Sequence, residues 1–274
     1  MLQRAKSFLF VPGDRPERFE KAVNTAADII ILDLEDAVSP DNKAAARDAV
    51  LDWLQGRGDA VNRRVIVRIN DVTSKWFEDD CRALGQASLA GAMLPKAELS
   101  ETISALAGSI SRHQQIVPLI ETVRGWDNMR QIAQSTNVAR LAFGSVDFCV
   151  DAGIRGEQEE LDFVRSSLVL NSRLAGLAAP VDGVSTDLKN TEMLANDVRR
   201  SRRFGFGAKL CIHPAQVDAV NIGYAPDPEE IAWAHRVVAA VEAGGLGAIA
   251  VDGKLIDKPL HIKAAKILDA FQEK

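Results

Sequence analysis

The chain has 274 residues, 47% of them hydrophobic, and a formal net charge of -5. Acidic and basic residues are mixed, the chain is mildly acidic and only one Tyr is present, which argues against an electrostatic or base-stacking nucleic-acid surface. The length suits one large α/β barrel or two small domains with an ample core. No window approaches the length of a membrane span.

Cys81, Cys149 and Cys211 are widely spaced and never form a C-x-x-C pair, which fits a reducing compartment better than a disulfide framework. The first residues, MLQRAKSFLFVPGDR, lack the apolar stretch of a signal peptide and run directly into a folded pattern. The expectation is a soluble cytoplasmic protein.

Eight short apolar runs recur along the chain. They are SFLFVPG (7–13), IIILDLEDA (29–37), RVIVRIN (64–70), GAMLPKA (91–97), QIVPLIET (115–122), ARLAFGSVD (139–147), APVDGVSTD (179–187) and AKLCIHP (208–214). Stretches between them, such as PERFEKAVNTAA and SKWFEDDCRALGQASL, place apolar residues at helical spacing. Strands alternating with helices predict a parallel sheet, and eight such units predict a (β/α)8 barrel. An open doubly wound sheet would need a G-x-G-x-x-G turn after the first strand, and VPGDRPERF does not supply it.

Beyond the eighth run, Asp227, Pro228 and Glu230 predict an N-cap, a first-turn proline and a capping-box acid for a helix through EEIAWAHRVVAAVEA. GAIAVDGKLID predicts a β-hairpin turning at Asp252-Gly253, and PLHIKAAKILDAFQ a closing helix. The expected organisation is a barrel over residues 1–223 and a helix–hairpin–helix extension over 224–274, packed on the barrel or on a neighbouring subunit.

Two runs end in a carboxylate, Glu121 and Asp147, where ligands bind in parallel α/β sheets. Two acids at successive tips can converge on one hard cation, and an all-oxygen site is what Mg²⁺ requires. Other polar groups gather at the tips: Glu35 and Asp36 on the second run, Arg68 and Asn70 on the third, Lys96 on the fourth, His213 on the eighth. Each has a plain structural reading as an ion pair or helix cap. Zinc is disfavoured, since the four His (113, 213, 235 and 261) form no H-E-x-x-H and no Cys/His cluster. An inward Arg68 in the apolar IVRIN needs an anion, either a protein carboxylate or a substrate one. Beside a bound metal it would also stabilise a developing enolate oxygen. A Schiff base on Lys96 ranks behind, because the acidic tips favour a charged, ion-paired lysine.

The order FLFVPGDRPERF, ILDLEDAV, VRIN, MLPKAE, LIETVRG, FGSVDF, KLCIHPAQV and LIDKP resembles the citrate lyase β-subunit family over essentially the entire chain. That family belongs to the wider group of HpcH/HpaI aldolases and malyl-CoA lyases on barrels of the phosphoenolpyruvate/pyruvate type. The resemblance implies a Mg²⁺-dependent lyase that cleaves a 3-hydroxyacyl thioester, such as citryl-CoA or malyl-CoA, to an oxo acid and an acyl thioester. It implies Glu121 and Asp147 as metal ligands, Arg68 on the substrate oxygen, and the backbone of Gly144, Ser145 and Val146 on the oxo-acid carboxylate. Glu35 and Asp36 would order metal-bound water. Asp257 would be the acid delivered from the C-terminal hairpin over an adjacent subunit, which implies a homo-oligomer, commonly a trimer. Val146 departs from the pattern, since relatives often carry an acidic or polar residue there. Two alternatives remain: an aldolase on free 4-hydroxy-2-oxo acids, and a subunit inactive without its partners.

Overall fold

Each of the eight predicted runs contains a strand, and the strands follow one another around a closed parallel barrel in chain order. They are β1 (Ser7–Pro12), β2 (Ile29–Asp33), β3 (Val65–Arg68), β4 (Gly91–Leu94), β5 (Gln115–Ile120), β6 (Ala142–Phe143), β7 (Val181–Asp182) and β8 (Ala208–Cys211). The computed structural model describes residues 1–156, 158–244 and 249–272. Closure comes from β8 pairing with β1, with Ser7 beside Lys209 and Leu9 beside Cys211. Among the described residues, no helix is long and apolar enough to cross a membrane.

Strand side chains alternate between the barrel interior and the surrounding helices. Phe8, Ile29, Ile31, Ile66, Met93, Val117, Leu119, Ala142, Val181, Ala208 and Leu210 form one buried cluster. A fully buried side chain of this size contributes about 1.5–3 kcal/mol, so the cluster dominates the stability of the barrel. Continuing the two-residue alternation along β2, β3 and β5 brings Asp33, Arg68 and Glu121 to the same face as Ile31, Ile66 and Leu119. The alternation therefore carries a hydrophobic interior over into charged groups at the carboxyl ends of the strands.

At the opposite end the fold places an arginine that the sequence analysis did not single out. Arg140 is 1% exposed and donates to the carbonyls of Leu2 (3.1 Å), Ala5 (2.6 Å) and Ala179 (2.7 Å). It ties the N-terminal segment to the segment that enters β7.

The chain divides into two compact units, Met1–Asn221 and Ile222–Lys274. In the second, the N–H of Asp227 donates to Glu230 Oε2 (3.0 Å) and the N–H of Glu230 to Asp227 Oδ1 (2.7 Å), a capping box that opens the helix Pro228–Gly244. Strands β9 (Ile249–Val251) and β10 (Lys254–Ile256) pair antiparallel around Asp252-Gly253, whose φ values of 52° and 74° belong to a type I′ turn. Arg236 donates to Asp252 at 2.7 Å and holds that turn. The helix Lys258–Gln272 follows, and Ala234, Val237, Val241, Val251, Ile256 and Ala264 form the unit's core. Residues 247 and 248, at the start of the predicted hairpin run, lie outside the described residues.

Candidate active site

A cavity of about 380 Å³ opens at the carboxyl ends of the barrel strands, and its wall includes Asp36, Arg68, Glu121, Gly144, Ser145, Val146 and Asp147. Seven of the predicted site residues thus meet in one place. Asp33, which the sequence analysis passed over, lines it too.

Arg68 is 8% exposed, and Asp33 grips it with both oxygens: Nε donates to Oδ1 at 2.7 Å and Nη2 to Oδ2 at 2.6 Å. Glu35 Oε2 lies 2.8 Å from Nη1 and Asp36 Oδ2 3.5 Å from it, while Phe10 stacks on the guanidinium with its centroid 4.9 Å away. Burial pulls the Arg68 pKa down, but Asp33, Glu35 and Asp36 outweigh it and leave the pKa above its ordinary value. The anion that this inward arginine requires is thus supplied by protein carboxylates. Asp33 is the last residue of β2, and Glu35 and Asp36 stand beyond the strand in the turn rather than at its end. Lys43, 7% exposed, donates to the carbonyls of Leu34 (2.9 Å) and Glu35 (2.6 Å) and fixes that turn. Its burial lowers its pKa, and the pull of Asp33 and Glu35 only partly restores it.

Glu121 follows β5 directly and is 2% exposed. Its Oε1 accepts the backbone N–H of Lys96 at 2.6 Å. Lys96 stands beyond β4, with a φ of 44° in the left-handed region that non-glycine residues avoid, so the site uses its backbone as much as its side chain. Burial first, then Glu35, pushes the Glu121 carboxyl up to about 8, against the pull of the Lys96 N–H and Arg68, with Asp147 adding to the rise. Burial likewise pushes Glu35 up to about 7, against the pull of Arg68. For Lys96, burial lowers the pKa but Glu35, Asp71 and Glu121 raise it further, and its Nζ lies 3.8 Å from Glu35. A lysine held charged this way is a poor Schiff-base nucleophile.

Asp147 is not at a strand tip. Strand β6 ends at Phe143, and Asp147 is the third residue of the helix Ser145–Ala152, where an acid complements the helix dipole. The first N–H groups of that helix, from Ser145, Val146 and Asp147, have no acceptor within the helix. Gly144 precedes them, and a Cβ there would meet Glu121 Cβ and Oε2 at 2.5 Å each. The site therefore requires a residue without a side chain at this position.

His213 is a helix cap, its Nδ1 accepting the N–H of Ala215 at 3.1 Å, and Asn70 is anchored by Asp80 at 2.7 Å. Both take the plain structural roles. Asp257 belongs to the second unit, where it is exposed and its Oδ1 accepts the N–H of Leu260 at 3.1 Å, capping the last helix.

Glu121 and Asp147 offer oxygen donors alone, and burial raises the pKa of the Glu121 carboxyl, so a divalent cation there competes with its proton. Such a pair suits a hard cation whose remaining positions are filled by water or substrate oxygens. Among the described residues, no group of three or more His, Cys, Asp or Glu is arranged to hold a metal by itself.

Residues 6–214 match the model of the HpcH/HpaI aldolase/citrate lyase family. The chain belongs to that family. A citrate lyase subunit beta-like protein of Deinococcus radiodurans is 34% identical over 277 residues, covering 96% of each chain. A (3S)-malyl-CoA thioesterase of Cereibacter sphaeroides is 33% identical over 267 residues, covering 95% of this chain and 92% of that one. The crystal structure of the Mycobacterium tuberculosis protein CitE in complex with magnesium, acetoacetate and coenzyme A superposes with a TM-score of 0.85 at 33% identity, covering 98% of both chains. A M. tuberculosis citrate lyase beta subunit complexed with oxaloacetate and magnesium gives a TM-score of 0.73 at 33% identity, over 82% of this chain and 99% of that one.

Proposed function

We propose that this family member is a Mg²⁺-dependent carbon–carbon lyase that cleaves a 3-hydroxyacyl-CoA thioester into a 2-oxo acid and an acyl-CoA. The observation that carries this reading is the pairing of Glu121 and Asp147 with the Arg68 guanidinium in one cavity. Relatives that bind magnesium together with oxo acids or coenzyme A support it.

Glu121 and Asp147 would hold the cation. When bound, Mg²⁺ supplies Lewis-acid polarisation of the substrate's hydroxyl and carboxylate oxygens, which eases loss of the hydroxyl proton. The free N–H groups at the start of the helix Ser145–Ala152 would orient the carboxylate of the oxo-acid half. As the hydroxyl proton passes to water ordered by Glu35 and Asp36, its oxygen would become the oxo group, the adjacent carbon–carbon bond would break, and the electron pair would move into a thioester enolate. Arg68, held in place by Asp33 and Glu35, would stabilise the enolate oxygen. Asp257 would return a proton to the enolate carbon, supplied from the hairpin of a neighbouring subunit in a homo-oligomer such as a trimer. Glu35 and Asp36 would order water about the cation.

A second reading is thioester hydrolysis, favoured by relatives named as (3S)-malyl-CoA thioesterases. In that case Arg68 would stabilise negative charge on the thioester carbonyl oxygen as water adds to the carbonyl carbon, the C–S bond breaks and coenzyme A leaves as the thiol.

The test is turnover of a panel of citryl-, malyl- and methylmalyl-CoA, with and without EDTA. Metal-dependent cleavage of one member that is lost in Glu121→Gln is expected. Cleavage that persists in EDTA would reject the reading.

A further inference from the structure

We propose, resting on the reading above that the helix Ser145–Ala152 receives the oxo-acid carboxylate, that Lys209 is a positioning residue for that end of the helix. It acts from behind the cavity wall, through the carbonyl of Gly183.

The alternation of β8 turns Ala208 and Leu210 into the buried cluster of the barrel, so Lys209 faces the other way, toward the surrounding helices. That layer is ordinarily apolar, and Lys209 is 3% exposed there. Burying its ammonium costs free energy that only polar partners can offset. Its register neighbour on β7 is Asp182, also buried, and Lys209 Nζ donates to the carbonyl of the following residue, Gly183, at 2.6 Å. With Arg165, Asp197 and Ser201 these residues line a polar chamber of about 20 Å³ between the strands and the helices Asp162–Leu174 and Thr191–Phe204.

The chamber and the active-site cavity share a wall, since Ser145 and Val184 line both. Gly183 packs so closely on that wall that a Cβ on it would press on Ser145 Oγ, with Ser145 Cβ at 3.0 Å and the Phe143 carbonyl at 3.2 Å. Two side chains hold the segment from the β8 side. Lys209 holds Gly183, and Gln216 Nε2 donates to the Ser185 carbonyl at 2.8 Å while Gln216 Oε1 accepts the N–H of Ile212 at 2.9 Å. Val184 is thus clamped on both sides, and the first residue of the helix rests on Gly183. Removing the Lys209 donor strips a charged partner from a buried carbonyl and lets Gly183 shift, and the Ser145 N–H shifts with it. Asp147 reaches out from the same helix by a side chain that can turn to follow a cation, whereas a backbone N–H cannot turn.

The test is calorimetric titration of Lys209→Met, first with Mg²⁺ and then, Mg²⁺-loaded, with pyruvate. Pyruvate affinity is expected to fall tenfold, about 1.4 kcal/mol, while Mg²⁺ affinity stays within about twofold of the unsubstituted protein. Gly183→Ala, which presses on Ser145 and leaves Lys209 in place, should show the same split, and it carries the test where Lys209→Met does not fold. Ile103→Ala, which opens a cavity under the helix Ser100–Ser109 between β4 and β5, should lower the melting temperature without changing pyruvate affinity. Pyruvate affinity unchanged in either Lys209→Met or Gly183→Ala, or lowered equally by Ile103→Ala, would overturn the inference and leave the lyase reading standing. Absence of pyruvate binding to the Mg²⁺-loaded, unsubstituted protein would remove the reading it rests on and the inference together.

Discussion

Gly144→Ala adds one methyl group and should damage both stability and metal binding. Its φ of -93° is open to alanine, so the backbone is no obstacle. The obstacle is contact: the new Cβ would stand 2.5 Å from both Cβ and Oε2 of Glu121. Comfortable carbon–carbon separations begin near 3.5 Å, so Glu121 or the Gly144 backbone must move by about 1 Å. Glu121 is 2% exposed, and its hydrogen bond from Lys96 N–H is 2.6 Å long, so such a movement carries that bond to the edge of hydrogen-bonding range. Overpacking costs about 1–3 kcal/mol and a lost neutral hydrogen bond about 0.5–1.5 kcal/mol. The two overlap, so we expect a total of about 2–4 kcal/mol in urea denaturation. Metal–ligand distances tolerate only about 0.2 Å, so Mg²⁺ affinity measured by calorimetry should fall at least tenfold. Gly108→Ala is the control. It lies in the helix Ser100–Ser109 with nothing within 4 Å of a new Cβ, and should stabilise by about 0.5–1 kcal/mol. Equal stability of the two variants, with Mg²⁺ affinity unchanged in Gly144→Ala, would refute the reasoning.

The charged cluster yields three further expectations. Arg68→Met strips the partner from Asp33, which is 1% exposed, and should cost about 3–5 kcal/mol in urea denaturation at pH 8; a loss below about 1 kcal/mol would contradict the pairing described. The folded-state pKa values of Glu35 and Glu121 lie near 7 and 8, above the ordinary 4.5, so the folded protein keeps protons that the unfolded chain has lost. Their contribution to stability is fully present below pH 4.5 and is lost as pH rises through 7 and 8. The melting temperature in EDTA should therefore fall from pH 5.5 to 8.5, less steeply in Glu121→Gln, and Mg²⁺ should restore it most at pH 8.5; parallel pH profiles for the two proteins would contradict this. Asp257→Ala should abolish turnover while sparing Mg²⁺ and oxo-acid binding, and full activity in that variant would remove Asp257 from the chemistry.

The barrel was legible because strand buried-run length, helical spacing and turn residues agree along the chain. The site was legible in part. Glu121 and Arg68 announce themselves, since a charged residue at the end of an apolar strand has no packing reason to be there. Asp33 has the same signature: the alternation Ile29, Ile31, Asp33 runs in step with Ile66, Arg68. It was obscured by Glu35 and Asp36, two louder acids that stand in the turn beyond. ARLAFGSVD reads as one apolar run, which sets Asp147 at a strand tip, but Gly144 breaks the run and the helix begins at Ser145. Lys43 and the backbone of Lys96 could not be read at all. Their contributions are hydrogen bonds across loops, to carbonyls or from an N–H, and such bonds leave no residue-type signature. Asp257 shows the opposite case, where a residue singled out for chemistry also caps a helix.

Mass spectrometry of the products from a 3-hydroxyacyl-CoA incubated with the protein and Mg²⁺ separates carbon–carbon cleavage from thioester hydrolysis. We expect an intact acyl-CoA, two or more carbons shorter, together with one equivalent of a 2-oxo acid. Free coenzyme A with the uncleaved hydroxy acid would rule out carbon–carbon cleavage and make the protein a thioesterase.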